Sequence, residues 1–572
     1  VPHQPAAYHN VNPTYGSDDR IIFASDRPRG GEAHLYPQRD EYESNSTVVG
    51  IYSLDEPTKT LTLLEHAPSG VFNLSVDSFG RVIFTRWDHL QRDQQGDAPA
   101  TAATYEAFTY ASEAADAAKS AEIAGSEVFP EARTDEDPTY DPDLNEHSFN
   151  QFYPWMIAQD GTSEETLNHI GRHEFGGTYT EGSFIGDANL SYYTPDDYHK
   201  NQHKLNSSAG TFQLREDPLV PGRFFSTYAQ EFATAGAGVL LRFDGAPGVN
   251  PEDMEITPVT PMSDQAQVPE ETGYFRSPLP LSDGSLVAVH TPATGSIMNE
   301  GSLEAPQWNY AFRLRALEKS GDFYVPGAYL TDGIEVDISY YSPDVLIHYS
   351  GMLWELDPMK VRARPRPPMP VEPLKTPELS VFTDVGVSVE ALRAWMRDHE
   401  LALIVSRNVT QRDRADVQQP YNLRVPGGVE SIAKDGTIYD VTHLQLFQAD
   451  LLRGYGPVDA PDPGRRVLAR PMHGDKVSPA SDGIPGAVPI AADGSVAAFV
   501  PARRAMTWQL HGPIGGVVRE RNWVSFQAGE IRVCAACHGI NTHSQTGDPE
   551  PTNPPEALRD LLKAWKLENP NP

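Results

Sequence analysis

Between residue 17 and about residue 362, short runs of alternating apolar and polar residues keep returning, each closed by Gly or Asp-Gly. Examples are "RIIFAS" (20–25), "GRVIFTRWD" (80–88), "GVLLRFDG" (238–245), "DGSLVAVH" (283–290) and "YAFRLRALEKSGD" (310–322). A period of two over such short lengths is the pattern of half-buried strands joined by tight turns, not of helices. Strand groups returning at intervals of about 40 to 55 residues predict a β-propeller of six or seven blades over residues 1–362. One stretch breaks the pattern. Residues 95–135 are rich in Ala and acidic side chains. They are expected to leave the strands as an exposed helix around 104–123 or a mobile excursion.

The text then changes to "VRARPRPPMPVEPLKTPE" at 361–378. Pro at this density makes a stiff, extended connection, so a linker is placed at 363–378. After it, "SVEALRAWMRDHE" (388–400) sets Leu392, Trp395 and Met396 on one face of a helix, a stripe best read as core. Strand patterns return in "VESIAKDGTIYDVTHLQLFQAD" (429–450) and "AVPIAADGSVAAFVPARRAMTWQL" (487–510), the second folding about an Asp493-Gly494 turn. Residues 379–528 therefore read as a β-sandwich-like middle domain, and 529–572 as a small terminal segment. Its last part, "NPPEALRDLLKAWK" (553–566), is a short helix with Asn553 as cap, Pro554 in the first turn and Glu556 in support. The fold class is mainly β.

Composition narrows the partners. Lys+Arg 45 against Asp+Glu 79 gives 45 − 79 = −34. Nucleic-acid binders need clustered positive charge, so a phosphate-backbone partner is excluded. The acidic surface serves solubility, or docking of a basic redox partner protein. No run approaches the eighteen or so apolar residues of a membrane span. No signal peptide is visible at Val1-Pro-His-Gln, so location has to be argued from chemistry.

That chemistry lies at 532–539, "RVCAACHG", which holds the only two cysteines of 572 residues. A structural zinc takes four Cys or His ligands, usually from two knuckles, and there is no second pair. A redox-active pair sits at a helix N-terminus after a strand, whereas Gly539 and a Pro-rich tail follow here. The remaining reading is the Cys-x-x-Cys-His motif of c-type haem. Cys534 and Cys537 would then tether one haem c covalently, with His538 as proximal ligand of the iron. Covalent haem attachment takes place outside the cytoplasm, which points to the periplasm or beyond. Candidates for the sixth ligand are Met472 or His473 in "RPMHGDK", then Met506 and His511, with His543 too close to the proximal strap. Leu558, Leu561, Leu562 and Trp565 offer an apolar helix face to close over the porphyrin edge. Two His-x-x-x-His pairs, His169/His173 (followed by Glu174) and His199/His203, lie in loop-like sequence. His169, His173 and Glu174 are the candidates for a second metal. The Asp-Gly turns at Asp160, Asp283, Asp435 and Asp493 lack the acidic ladder of a calcium loop. No Gly-rich phosphate loop, nucleophile elbow or basic patch occurs.

The combination of "GRVIFTRWDH" (80–89), "AVPIAADGSVAAFVPA" (487–502) and "WVSFQAGEIRVCAACHG" (523–539) resembles the hydrazine synthase α-subunit-like family, over most of residues 17–545. The resemblance implies a propeller, a sandwich-like middle domain and a C-terminal c-type haem segment in a periplasmic protein, with the porphyrin near the propeller. In the family's catalytic haem, a Tyr four residues beyond the motif His holds the iron, and that His helps to bind zinc. Thr542 stands at the matching position here, and no second Cys-x-x-Cys-His follows. The departures imply a divergent member without hydrazine synthase activity, and they return His538 to the usual proximal role. The expected function is that of an exported monohaem cytochrome with a redox partner. It either transfers electrons or oxidises or reduces a small substrate at the haem. The alternative is a propeller scaffold in a larger redox complex, with the haem only relaying electrons. The oligomeric state is left open.

Overall fold

The computed structural model describes residues 8–29, 37–38, 47–68, 70–90, 107–110, 119–123, 149–171, 209–262, 272–342, 344–370, 372–412, 422–433, 435–455, 462–481, 483–513, 515–520, 522–537, 544 and 546–570. The alternating runs of the first half become four antiparallel sheets of four strands each. The first holds β1 (Asn10–Tyr15), β2 (Ile21–Ser25), β3 (Gly50–Asp55) and β4 (Thr60–His66) in sequence order. Then come β5 (Gly70–Val76), β6 (Arg81–Leu90), β7 (Ala107–Tyr110), β8 (Lys119–Ile123), β9 (Phe149–Ala158) and β10 (Glu165–Thr166). The second sheet runs β10-β9-β6-β5, and β7 and β8 leave it. The third is β11 (Ala209–Glu216), β12 (Arg223–Gln230), β13 (Val239–Asp244) and β14 (Thr257–Pro258). The fourth is β15 (Tyr274–Pro280), β16 (Leu286–Thr291), β17 (Arg313–Ser320) and β18 (Phe323–Tyr329). A separate two-stranded hairpin follows, β19 (Glu335–Ser342) with β20 (Val345–Met352).

Up to residue 375 the described part of the Pro-rich stretch carries no helix or strand and lies back along the first two sheets, and its last residues, from Thr376, open a helix. The Arg366 guanidinium donates to Ser17 O at 2.9 Å and to Asp19 Oδ1 at 2.9 Å. Gly80 explains why the turn before β6 needs glycine. Its φ is +84°, and a Cβ there would sit 1.9 Å from the carbonyl oxygen of Pro368.

The second half begins with two helices, α1 (Thr376–Val385) and α2 (Val389–Asp398). Ser388 caps α2 by accepting from Ala391 N at 3.3 Å, and Leu392 and Met396 are fully buried, as the periodicity predicts. Helix α1 is absent from the sequence reading, although Pro377 near its start and Gly386 just past its end (φ +68°) are the usual punctuation. The strands are β21 (Leu401–Arg412), β22 (Leu423–Arg424), β23 (Glu430–Ser431), β24 (Tyr439–Asp440), β25 (His443–Tyr455), β26 (Asp462–Pro471), β27 (Ala487–Pro489), β28 (Val496–Pro501), β29 (Ala505–Gly512), β30 (Gly515–Arg519), β31 (Val524–Ser525) and β32 (Ile531–Cys537). Helix α3 (Glu556–Glu568) closes the chain's described part.

Strict alternation divides this half into three layers. In the sheet β28-β21-β32, Ala402, Ile404, Val496, Ala498 and Val500 face one apolar cluster that includes Leu444, Leu446 and Leu510 of β25 and β29. The intervening Leu403, Val405, Ala497 and Phe499 face the other way, onto α1, α2 and α3. The small sheet is thus buried on both sides, between the larger sheet and a helical layer. Strand β32, which holds both cysteines, belongs to it.

The described residues of 104–123 are strands, not the expected helix. Strands β7 and β8 pair with each other, and β7 pairs with β25 through Leu452↔Thr109 and Arg453↔Phe108. A free strand edge on β25 supplies backbone partners that the Ala content of 95–135 does not reveal, and "AFTY" (107–110) has the aromatic and β-branched residues suited to it.

Candidate haem-attachment site

β32 runs parallel to β21 in the register Leu403↔Ile531, Ile404↔Arg532, Val405↔Val533 and Ser406↔Cys534, and it forms an edge of the sheet. Ile531 and Val533 face the helical layer. Cys534 therefore stands on the opposite pleat, the one that Ile404 shares. In a regular strand, Cys537 would return to the helical side, because residues three apart point to opposite faces. The ladder is irregular here, its register jumping from Asn408↔Ala536 to Arg412↔Cys537. Cys537 packs on the same apolar cluster as Ile404. Both thiols thus belong to one side of the sheet, as attachment to a single planar porphyrin requires.

The thiols are free; Cys534 is exposed and Cys537 half-buried. Burial pushes the Cys537 thiol up to about 12, against the pull of Arg412. Surrounding protein also raises the Cys534 thiol, against the neighbouring Arg532. Arg532 donates to Glu164 O at 3.0 Å and to Glu165 Oε2 at 2.8 Å. Burial opposes its charge, but Glu165 and its acidic neighbours hold its pKa above the ordinary value.

Two buried acids next to this site went unread in the sequence. Glu530 accepts from Gln527 N at 2.8 Å and Ser163 N at 3.1 Å, and burial pushes its carboxyl up to about 7. Glu164 accepts from Arg86 at 2.6 Å and from Ser525 N at 2.5 Å, and burial raises it too. Arg86 belongs to the "GRVIFTRWD" strand, so that stretch supplies the counter-charge for an acid beside β32. Gln527 Nε2 adds bonds to Leu63 O and Leu64 O at 3.1 and 2.8 Å, and Tyr153 OH donates to Asn522 Oδ1 at 2.6 Å. The segment leading into the cysteines is thereby fixed against the first two sheets.

His538, His173, Glu174, His199, His203, Thr542 and His543 lie outside the described residues. Met472 is 5% exposed within the cluster between the two sheets, and Met506 is fully buried there. His473 uses both ring nitrogens, Nδ1 lying 2.9 Å from Pro471 O and Nε2 3.2 Å from Asp450 Oδ2, and the bond to Asp450 raises its pKa. His511 is half-buried on β29, opposite His443, and burial lowers its pKa. His169 Nε2 lies 3.5 Å from Thr166 Oγ1. Among the described residues, no three His, Cys, Asp or Glu side chains gather to hold a metal. The apolar face of α3 is used in packing: Leu558, Leu562 and Trp565 are buried with Leu403 and Phe499. It lies on the helical side of the sheet, opposite the face assigned to the thiols.

The two thiols are of the kind that a covalently held haem needs, and the histidine of the motif lies outside the described residues. Two free thiols, two residues apart, lie on an edge strand, Cys534 exposed and Cys537 half-buried against the cluster between the sheets. No helix among the described residues is long and apolar enough to cross a membrane.

No family model and no curated protein matches the chain. Among solved structures it is similar to Kuenenia stuttgartiensis hydrazine synthase, at a TM-score of 0.45 and 11% identity. The likeness covers 94% of this chain and 54% of that one, so the chain spans about half the length of the structure that it matches.

Proposed function

We propose that this chain is a monohaem c-type cytochrome that acts outside the cytoplasm. Cys534 and Cys537 form the two thioether links and His538 binds the iron. The haem supplies one-electron chemistry when bound. The chain's own residues hold the attachment strand against the first sheets, keep a positive charge beside Cys534 through Arg532, and set the thiols on one side of the sheet. The four consecutive four-stranded meanders are read as blades of a propeller that borders the haem. A redox partner protein meets the acidic surface, and a small substrate reacts at the haem if its distal side is open. If that side is closed, the haem relays electrons within a larger complex, and the propeller serves as scaffold.

The observation that carries this reading is the placement of both cysteines, the only two in the chain, on one face of β32 directly before His538. The test is export together with a c-type haem maturation system, followed by a haem stain of the denatured chain and a pyridine haemochrome spectrum. One covalent haem per chain is expected, lost in the double substitution Cys534→Ala, Cys537→Ala. A wild-type chain without covalent haem, where a control cytochrome is matured, would overturn the proposal. A carbon monoxide shift of the reduced spectrum then marks an open distal side, and its absence marks the relay.

A further inference from the structure

The hairpin β19–β20 is unlike the rest of the fold. It forms a two-stranded sheet of its own, and such a hairpin in water is at best marginally stable. Its register is Val336↔Gly351, Ile338↔Tyr349 and Tyr340↔Ile347 on one face, and Glu335↔Met352, Asp337↔Ser350 and Ser339↔His348 on the other. The hairpin therefore has an apolar face and a mixed one, which is acidic at Glu335 and Asp337 and apolar at its turn end, where Tyr341 and Leu346 pair and are both exposed. On the apolar face Ile347 is buried, yet Ile338 and Tyr340 of β19 remain 44% and 46% exposed. On the mixed face Glu335, Asp337 and His348 are exposed, with His348 Nε2 3.4 Å from Asp337 Oδ1.

The two edges are treated differently. The outer side of β20 meets the loop at Glu304, whose carbonyl oxygen accepts from His348 N at 2.6 Å. Among the described residues, no strand pairs with the outer edge of β19. An unpaired edge of eight residues is a template for another strand. A strand added there would lay alternate side chains beside Val336, Ile338 and Tyr340 on one face, and beside Glu335 and Asp337 on the other. Exposed Asp332 and Asp344 stand at the two ends of β19, and exposed Glu304 lies across the hairpin. The field along this edge is acidic.

A second copy of the chain matches this edge poorly. Antiparallel pairing of β19 with itself sets Glu335 and Asp337 of each copy against the Tyr340–Ser342 end of the other, which supplies no cation to either acid, and the two chains each carry a net charge of −34. We propose that the outer edge of β19 docks an extended segment of a partner protein whose side chains alternate apolar and basic. The apolar positions cover Ile338 and Tyr340, and the basic positions pair with Glu335 and Asp337. The proposal stands independently of the haem assignment.

The test uses the full chain and two labelled octapeptides, one alternating Lys and Val, the other alternating Glu and Val, with binding read by fluorescence anisotropy. The Lys–Val peptide is expected to bind at least tenfold more tightly. The double substitution Glu335→Lys, Asp337→Lys should reverse that preference. A control double at exposed positions elsewhere, Glu56→Lys with Asp560→Lys, should leave it unchanged. If both doubles weaken Lys–Val binding alike, general acidity attracts the peptide and the proposal fails. It fails equally if sedimentation shows a dimer that only the β19 double dissolves, since a second copy then covers the edge.

Discussion

Arg407 grips Glu378 at two points, Nε to Oε1 at 2.6 Å and the second terminal nitrogen to Oε2 at 2.9 Å, with both side chains out of solvent. Arg407 follows Ser406, the ladder partner of Cys534, and its remaining nitrogen donates to Glu550 Oε1 and Pro551 O, both at 2.9 Å. One guanidinium thus ties β21 to α1 and to the chain that returns after the cysteine motif. Breaking such a pair leaves a buried charge, at about 3–5 kcal/mol, while replacing both partners by apolar groups is often near neutral. Arg407→Met should therefore lower the stability of the C-terminal half by about that amount. Arg407→Met with Glu378→Leu should recover a good part of it. Urea unfolding followed by the fluorescence of Trp395 and Trp565 checks both. Equal losses in the single and the double variant would mean that the contacts to Glu550 and Pro551 matter more than the ion pair.

Asp493 serves two structures at once. Its Oδ1 accepts from Ser495 N at 3.0 Å and closes the turn, while its Oδ2 accepts from Glu556 N at 3.1 Å and Asn553 Nδ2 at 2.9 Å. Ser495 Oγ accepts from Ala557 N at 3.0 Å. Helix α3 is thus capped by a β-turn distant in sequence, rather than by Asn553. Asp493→Ala should destabilise α3 by about 1–2 kcal/mol, the usual scale for a lost cap. Asp493→Asn, which keeps an acceptor, should cost less. Faster amide exchange at Glu556 and Ala557 in the alanine variant is the local sign.

These two residues show what a sequence yields and what it withholds. The Asp493-Gly494 turn and the helix around Leu392 and Met396 are legible because local chemistry and periodicity set them. The partner of the turn is not, since nothing near residue 493 signals a helix N-terminus at 556. Strand β21 is hard to read because Ser406, Arg407, Thr410 and Arg412 are buried in it, and polar residues held by distant partners erase the apolar alternation. The thiols are legible as a motif, but their common face depends on a register jump against β21. Glu530 and Glu164 look like surface acids in the text, and only the packing of the first sheets on residues 522–532 buries them.

Burial of Glu530 gives a pH dependence with a definite sign. The carboxyl rises from 4.5 to about 7 on folding, so the folded chain holds the proton over a range where the unfolded chain releases it. The stabilising effect is complete below pH 4.5 and is lost as pH rises through about 7. A shift of this size corresponds to about 3 kcal/mol. Glu530→Gln should flatten the fall in stability across that window, measured as the urea midpoint at a series of pH values. An unchanged slope would place the titration on another group, with Glu164 the next to substitute.

The two thiols should differ in reactivity before any haem is attached. The thiolate is the nucleophile, so a raised pKa slows alkylation and burial slows it further. Both groups are shifted up, but Cys534 is exposed and has Arg532 beside it, whereas Cys537 is half-buried and pushed up to about 12. Iodoacetamide at pH 8 should modify Cys534 first in a chain produced without haem maturation, as read by peptide mass mapping over time. Arg532→Leu should slow the Cys534 reaction and leave Cys537 nearly unchanged, because Arg412 is the cation that acts on Cys537. In the matured protein neither sulfur should react, since both would be thioethers. Equal rates at the two positions would show that exposure and Arg532 do not distinguish Cys534 from its neighbour. Protection of Cys534 alone after maturation would point to single attachment.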